Sequence, residues 1–268
     1  AEQQQVYQLL SEEIRKRNDI DAKRFDYFIS PSKFCTEKFT SAFNQKNLGK
    51  EDIRIEEGYP RNDSLFHYTE KDVKRIKKKW NIPEDKKVIF YLPTFRDNQH
   101  ESGVGYTYNL GIDFDSLKEK FQDEYVILFS PHYFVAKQVD VSKYEGFVLN
   151  VTENDDINDM YIVSDIVMTD YSSVFFDFAN LKRPMLFYMY DLDIYKGKLR
   201  DFYLDLEELP GPIAETQEDL EKNLKNIDKE FKKNKTKYEK FNKKFNYLDD
   251  GKSARRVINV IFKLKEDK

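Results

Sequence analysis

Residues 163–178 read V-S-D-I-V-M-T-D-Y-S-S-V-F-F-D-F, and their polar types sit where chemistry on an anion would need them. Asp165 to Thr169 has the make-up of a short buried strand, and Ser172 and Ser173 open an apolar segment of helical character. A strand ending in small hydroxyl residues at a helix start turns free N–H groups and the positive end of the peptide dipoles toward whatever binds there. A phosphate or diphosphate ligand is the first expectation. The plainer reading is that Ser172 only caps its helix. Two more strand ends carry polar groups: Thr94, Arg96 and Asp97 follow Lys87–Leu92, and His132 follows Tyr125–Phe129. In a parallel sheet all three ends share one edge, so Thr94, Arg96, Asp97, His132, Asp170, Ser172 and Ser173 can converge from distant parts of the chain. An arginine fork, an imidazole and a helix N-terminus are the parts that hold a diphosphate and stabilise a departing phosphate. Each has an ordinary alternative: Arg96-Asp97 as a surface ion pair, His132 capping a loop after Pro131, Asp170 bonding its own turn.

The elements that must position these groups alternate in type. Residues 3–18 read as a helix, 26–30 as a short strand, Pro31-Ser32 as the start of a second helix, and 53–55 as strand-like. Gly58-Tyr59-Pro60-Arg61-Asn62-Asp63 is the strongest boundary signal in the chain. Beyond it, a polar helix ends near Trp80. The strands are 87–92, 125–129, 147–151, 165–169 and an apolar run over 184–189, with helices over 114–121 and 157–163 and from Ser172. Residues 98–111 read as a loop. Strands alternating with helical segments predict a parallel α/β sheet. From Leu220 the apolar residues step by three and four through Leu224, Ile227, Phe231, Tyr238, Phe241, Phe245 and Leu248, a helical stripe with lysines on the other faces. Lys232 to Lys244 could touch anionic lipid, although a core-packed helix with a solvated basic face is the plainer account.

Composition narrows the function classes. The chain has 268 residues, 40% of them hydrophobic and 15% aromatic, which is enough for one large domain or two small ones. The 35% charged residues nearly balance at a net charge of −4, so no global basic field argues for nucleic acid. A single cysteine, Cys35, rules out an internal disulfide framework and a multi-cysteine zinc site. There is no apolar run long enough to span a bilayer, and the segment A-E-Q-Q-Q-V-Y lacks the apolar core of a signal peptide. The chain reads as a cytosolic globular protein or a soluble piece of one. Several motifs fail on context. Gly251-Lys252-Ser253 lacks the upstream glycine and strand of a P-loop. The Asp-x-Asp pairs at 19/21, 113/115 and 191/193 have no His or Cys cluster beside them, so no metal is expected. Asp249-Asp250-Gly251 reads as a turn before a C-terminal helix.

Seven motifs occur in one order: G-Y-P-R-N-D at 58–63, Y-L-P-T-F-R-D at 91–97, S-P-H-Y at 130–133, T-D-Y-S-S-V-F-F-D-F at 169–178, R-P-M-L-F-Y at 183–188, L-R-D-F-Y-L-D at 199–205 and P-G-P at 210–212. The set resembles the CDP-glycerol glycerophosphotransferase family, the teichoic acid polymerases and primases, and the resemblance covers nearly the whole chain. It implies a GT-B-like architecture of two Rossmann-like lobes, with a CDP-alditol held chiefly by the C-terminal lobe. It also implies transfer of glycerol phosphate, or ribitol phosphate in close relatives, to a hydroxyl of a lipid-linked teichoic acid acceptor with release of CMP. His132 matches the family's functional histidine in that lobe, and Ser172 and Ser173 its diphosphate-binding serines. Arg61, Asn62 and Asp63 match the motif at the lobe junction, and Thr94, Arg96 and Asp97 the motif after the first strand of the C-terminal lobe.

By the same resemblance, residues 1–58 are expected to be the end of the N-terminal lobe, 59–250 the nucleotide-binding lobe and 251–268 a closing helix. One departure stands out. The family's W-H-G-T-type motif is absent, since Trp80, the sole tryptophan, is followed by Asn81. The chain is therefore expected to be a fragment carrying the donor site, with His132, Arg96 and Asp97 nearest the chemistry and Asp170, Ser172, Ser173, Thr94, Arg61, Asn62 and Asp63 on the donor. No cofactor is expected beyond the donor substrate, CDP-glycerol or CDP-ribitol. The expected location is the inner face of the cell membrane, peripherally; a homo-oligomer is left open. Two rivals remain: a nucleotide-sugar glycosyltransferase of the same architecture, and a non-catalytic nucleotide-binding lobe.

Overall fold

A computed structural model describes residues 2–94, 100–101, 105–106, 111–132, 139–154, 156–194 and 204–263. The chain folds as two compact units, Ala1–Phe66 with Asn242–Lys268, and His67–Phe241. The sequence reading sets these divisions at Gly58 and Asp250. The ten strands are β1 (Phe28–Ser30), β2 (Arg54–Glu56), β3 (Lys87–Leu92), β4 (His100–Glu101), β5 (Gly105–Tyr106), β6 (Tyr125–Phe129), β7 (Val148–Asn150), β8 (Ile166–Thr169), β9 (Met185–Tyr188) and β10 (Ile213–Ala214).

In the first unit, helix Glu2–Arg24 precedes β1, and helix Lys33–Ala42 links β1 to β2, which pair in parallel with Ile29 opposite Ile55. Ser32 starts the second helix: its backbone is extended and its Oγ accepts the N–H of Cys35. Phe25, Phe28, Phe39 and Phe43 form an aromatic cluster with ring centres 5.0 to 6.3 Å apart. The segment Pro60–Phe66 belongs here because its side chains bond to the C-terminal turn. The Nδ2 of Asn62 donates to Asp249 at 2.8 Å, and Asp63 accepts the N–H groups of Ser253 and Ala254 at 2.9 and 2.8 Å. Gly58 lets the chain turn there. Its φ is +82°, and a Cβ would lie 2.8 Å from the Asp249 carboxylate and 2.9 Å from the Leu248 carbonyl.

The second unit is built on one six-stranded parallel sheet in the order β10-β9-β8-β3-β6-β7. Counted along this unit and read from β7, the order is 3-2-1-4-5-6, the doubly wound Rossmann arrangement. Its strands are continuous apolar runs because both faces are covered. On one face Ile89, Tyr91, Ile127, Phe129, Ile166 and Met168 pack with Phe114, Leu117 and Phe121 of helix Phe114–Phe121 and with Leu220 and Leu224 of helix Gln217–Lys225. On the other, Phe90 meets Tyr161 of helix Ile157–Val163, and Tyr161 meets Phe178. Phe90 and Phe129 are fully buried, each side chain contributing roughly 2 to 3 kcal/mol through removal from water.

Most of the expected elements are present within a residue or two. Three differ. The helix expected from Ser172 is Val174–Phe178, followed by a 3-10 turn to Leu181. The expected loop over 98–111 contains β4 and β5, paired antiparallel with His100 opposite Tyr106. The strand β10 has no counterpart in the sequence reading, since two residues behind Pro210-Gly211-Pro212 give no alternation to detect.

Candidate functional site at the carboxyl edge of the sheet

Strands β8, β3 and β6 are direct neighbours, so Thr94, His132 and Asp170 all leave the same edge of three adjacent parallel strands. The order of the sheet reverses between β3 and β8, where a doubly wound fold opens its ligand crevice.

The ends of β3 and β8 are tied together there. Pro93 has no N–H to offer and the chain leaves the sheet. Next, the N–H of Thr94 donates to both carboxylate oxygens of Asp170, at 2.8 and 3.0 Å, and its Oγ1 donates to Oδ1 at 2.5 Å. The same Oδ1 accepts the N–H of Tyr171 at 2.6 Å. One step back, the hydroxyl of Thr169 donates to the carbonyl of Leu92 at 2.7 Å. Thr169 and Asp170 are buried, and such groups must be hydrogen-bonded to be tolerated. Asp170 does bond its own turn, and it joins that turn to the neighbouring strand end.

His132 stands on β6's exit. Ser130 still belongs to the sheet, its N–H donating to the Tyr91 carbonyl at 2.9 Å, and Pro131 is buried. The imidazole is half-buried, and that burial holds its pKa below the ordinary histidine value. Near neutral pH it therefore has one N–H to donate and one nitrogen that accepts.

Ser172 is half-buried and Ser173 exposed. Ser173 occupies the N-cap position of its helix with φ −72° and ψ −1°, and its side chain makes no capping bond. Neither hydroxyl has a hydrogen-bond partner among the described residues. The plainer reading of Ser172 as a cap is thus not what the geometry gives. The helix is only 5 residues long, so its dipole is small, and the hydroxyls and loop N–H groups are the better donors.

A fourth strand end adds a pair that the sequence reading does not include. The hydroxyl of Tyr171 donates to Asp191 at 3.0 Å. Asp191 follows β9 as Thr94 follows β3, so the strand-end rule that singles out Thr94 also reaches Asp191, which the sequence reading considers only as half of an Asp-x-Asp pair without metal-ligand neighbours. The motif arginine Arg183 has a structural setting: its guanidinium donates to the carbonyls of Ile162 and Ser164 at 2.8 and 2.5 Å and to the Tyr68 hydroxyl at 2.7 Å, closing the end of helix Ile157–Val163.

Arg96 and Asp97 lie outside the described residues. Arg61, Asn62 and Asp63 lie in the other unit, in the turn Pro60–Phe66, where the Arg61 guanidinium stands 4.1 Å over the Tyr59 ring. Among the described residues no cluster of His, Cys, Asp and Glu could hold a metal ion, and no helix is long and apolar enough to cross a membrane.

Comparison with known proteins agrees with this architecture. The profile of the family described as CDP-Glycerol:Poly(glycerophosphate) glycerophosphotransferase matches residues 2–263. A teichoic acid poly(glycerol phosphate) polymerase of Bacillus subtilis is 44% identical over 251 residues, 92% of this chain and 33% of the relative. A teichoic acid glycerol-phosphate transferase of Staphylococcus aureus is 42% identical over 246 residues, 91% of this chain and 62% of the relative. The solved wall teichoic acid polymerase TagF superposes with a TM-score of 0.84 at 39% identity, covering 94% of this chain and 60% of that one. A TagF variant soaked with CDPG superposes at 0.83. A UDP-GlcNAc 2-epimerase of Neisseria meningitidis, 16% identical at a TM-score of 0.53, shares the fold alone. The chain thus spans between a third and about three fifths of the relatives it matches. With the motifs, the Rossmann sheet and the family profile in agreement over nearly its whole length, this chain belongs to the CDP-glycerol:poly(glycerophosphate) glycerophosphotransferase family.

Proposed function

We propose that the carboxyl edge of the six-stranded sheet is the donor site of a CDP-alditol glycerophosphotransferase. The observation that carries this reading is the placement of His132, Thr94 and the hydroxyls of Ser172 and Ser173, which have no partner among the described residues, on one edge, at the point where strand order reverses. The diphosphate of CDP-glycerol or CDP-ribitol is bound by Ser172, Ser173 and the N–H of His132, with Arg96 as a supporting cation. Asp170 is a carboxylate already engaged by Thr94 and Tyr171, and it fixes the two strand ends rather than meeting the anion. The reaction is an in-line displacement at the phosphorus nearer the alditol. An acceptor hydroxyl forms the new P–O bond, the bond to the CMP oxygen breaks, and the hydroxyl proton passes to a base. Positioning and charge stabilisation dominate such transfers. The acceptor is a lipid-linked teichoic acid chain, which puts the enzyme at the inner face of the cell membrane.

Titration calorimetry with CDP-glycerol, CDP-ribitol and UDP-N-acetylglucosamine tests the reading. A CDP-alditol should bind at least about tenfold more tightly than the UDP-sugar, a difference of roughly 1.4 kcal/mol. Equal affinities, or preference for the UDP-sugar, would favour the glycosyltransferase alternative.

A further inference from the structure

The segment 227–241 carries six lysines against three acids, in a chain whose net charge is −4. It is helical, as Ile227–Lys233 and then within Lys235–Phe245. The helical hydrogen bonding passes through the joint: the N–H of Asn234 donates to the Glu230 carbonyl at 3.0 Å, and the N–H of Tyr238 to the Asn234 carbonyl at 2.9 Å. Ile227, Tyr238 and Phe241 are buried and Phe231 is half-buried, so one side faces the core. At 3.6 residues per turn, Lys229, Lys232, Lys233 and Lys240 fall on the opposite side, and all four are exposed. Elsewhere in this unit several exposed lysines have carboxylate partners, as in Lys87–Glu124, Lys120–Glu221 and Lys143–Asp115. Here Lys229, Lys232 and Lys240 have none among the described residues, and Lys233 has only Glu230 at 3.8 Å. A row of largely uncompensated positive charge is left on the outward side of this segment.

We infer that this lysine row is an electrostatic docking surface for an anionic phospholipid bilayer. The inference rests on the proposed function for its setting, a lipid-linked acceptor at the membrane, and adds the surface that meets the lipid. Three features favour a bilayer over another polyanion. The charges are all lysine, with no arginine between residues 201 and 254 to grip single phosphates in a fork. The outward positions hold no aromatic side chain on which a base could stack. The row runs about 16 Å along one helix face, starting at Lys229 on the rim of a cleft shared with Lys87, Glu124 and Glu221 and continuing beyond it through Lys232, Lys233 and Lys240, an extended line that suits a diffuse plane of headgroups. No outward position is apolar, so the contact is with headgroups and does not insert.

Vesicle co-sedimentation tests the proposal on the unmodified chain and on K229Q/K232Q/K233Q/K240Q. The unmodified chain should bind vesicles containing phosphatidylglycerol, fail to bind pure phosphatidylcholine, and release as salt rises to about 0.5 M, where screening is nearly complete. The fourfold variant should bind the anionic vesicles roughly a hundredfold or more weaker, since each lysine near such a surface is worth about fivefold. K232Q/K240Q should fall between, which guards against a folding defect in the larger variant. CDP-glycerol titrated into the same samples should bind all three proteins alike, so loss of donor binding throughout would count against the proposed function and leave the lipid result standing. Undiminished vesicle binding by the fourfold variant, no binding by the unmodified chain, or binding only to soluble poly(glycerol phosphate) would overturn the proposal.

Discussion

Thr94 and Asp170 lie 76 residues apart and meet through three hydrogen bonds, two from the threonine N–H and one from its hydroxyl. They leave adjacent parallel strands, β3 and β8, at the reversal point of the sheet. Ligand crevices in doubly wound folds open at that point because neighbouring loops there turn to opposite sides. Here the two loops are fastened at their base, and the fastening aims Tyr171, Ser172 and Ser173. A carboxylate at a diphosphate site would repel its ligand if left free. Engaged by three donors, it instead sets the loop geometry.

Replacing Asp170 with Ala should therefore act first on stability. It strands the half-buried N–H groups of Thr94 and Tyr171, and the cost should be about 2 to 4 kcal/mol. Replacing Thr94 with Val removes only the hydroxyl bond and should cost about 1 to 2 kcal/mol. Urea melts of both single variants and the double variant give the coupling, expected to exceed about 0.5 kcal/mol. Additive losses would mean the two residues are neighbours without being partners.

Ser172 and Ser173 should behave in the opposite way. Their hydroxyls make no hydrogen bonds to the described residues, so S172A/S173A should shift stability by no more than about 0.5 kcal/mol. The same variant should weaken CDP-glycerol binding while leaving cytidine binding nearly unchanged, because in the proposed donor site the contacts it removes are to phosphate. Calorimetry with the two ligands separates these outcomes, and an equal loss on both would place the serines outside the diphosphate site.

How much of this is legible in the sequence follows from what local sequence encodes. Five strands of the six-stranded sheet are readable because both of its faces are buried and their residues form apolar runs, as in Tyr125–Phe129. The shared edge of Thr94, His132 and Asp170 is readable because alternating strands and helices force a parallel sheet. The Thr94–Asp170 bonds are not, since sequence gives an edge but no partners across it. The setting of Asp63 is hidden for a related reason. Its donors are the N–H groups of Ser253 and Ala254, nearly two hundred residues away, and no periodicity links a turn to a distant helix start. The helix after β8 starts two residues later than the Ser172 stretch suggests, because Ser and Thr are suited both to N-caps and to the loop before them.

His132 should make stability depend on pH in one direction. Burial lowers its folded pKa, so the unfolded chain takes up the proton first as pH falls. The neutral form's contribution is complete above the ordinary histidine pKa of about 6.5 and is lost as pH drops through that value toward the folded one. Urea midpoints at mildly alkaline and mildly acidic pH should therefore fall on acidification, and the fall should shrink in H132Q, which cannot titrate. In the enzyme assayed with its acceptor, H132A should lower turnover by roughly two orders of magnitude or more, as loss of a donor to developing charge does. Turnover close to the unmodified enzyme would remove His132 from the site.

Asp63 gives the last test, and its signature is on the first unit. Its carboxylate accepts the N–H groups of Ser253 and Ala254, which open helix Ser253–Phe262. These donors lack partners within the helix itself, and a negative charge there also opposes the positive end of the dipole. The residue at the ordinary cap position, Lys252, makes no side-chain capping bond, so Asp63 does from a distance what a cap does locally. D63A should cost about 1 to 2 kcal/mol, the range found for lost caps. D63N keeps one acceptor oxygen and should recover part of it. Hydrogen exchange at Ser253 and Ala254 gives the local readout: faster exchange in D63A, with the amides of β3 and β6 unchanged, would match a lost cap. Unchanged exchange at those two amides would show that the helix start does not depend on Asp63.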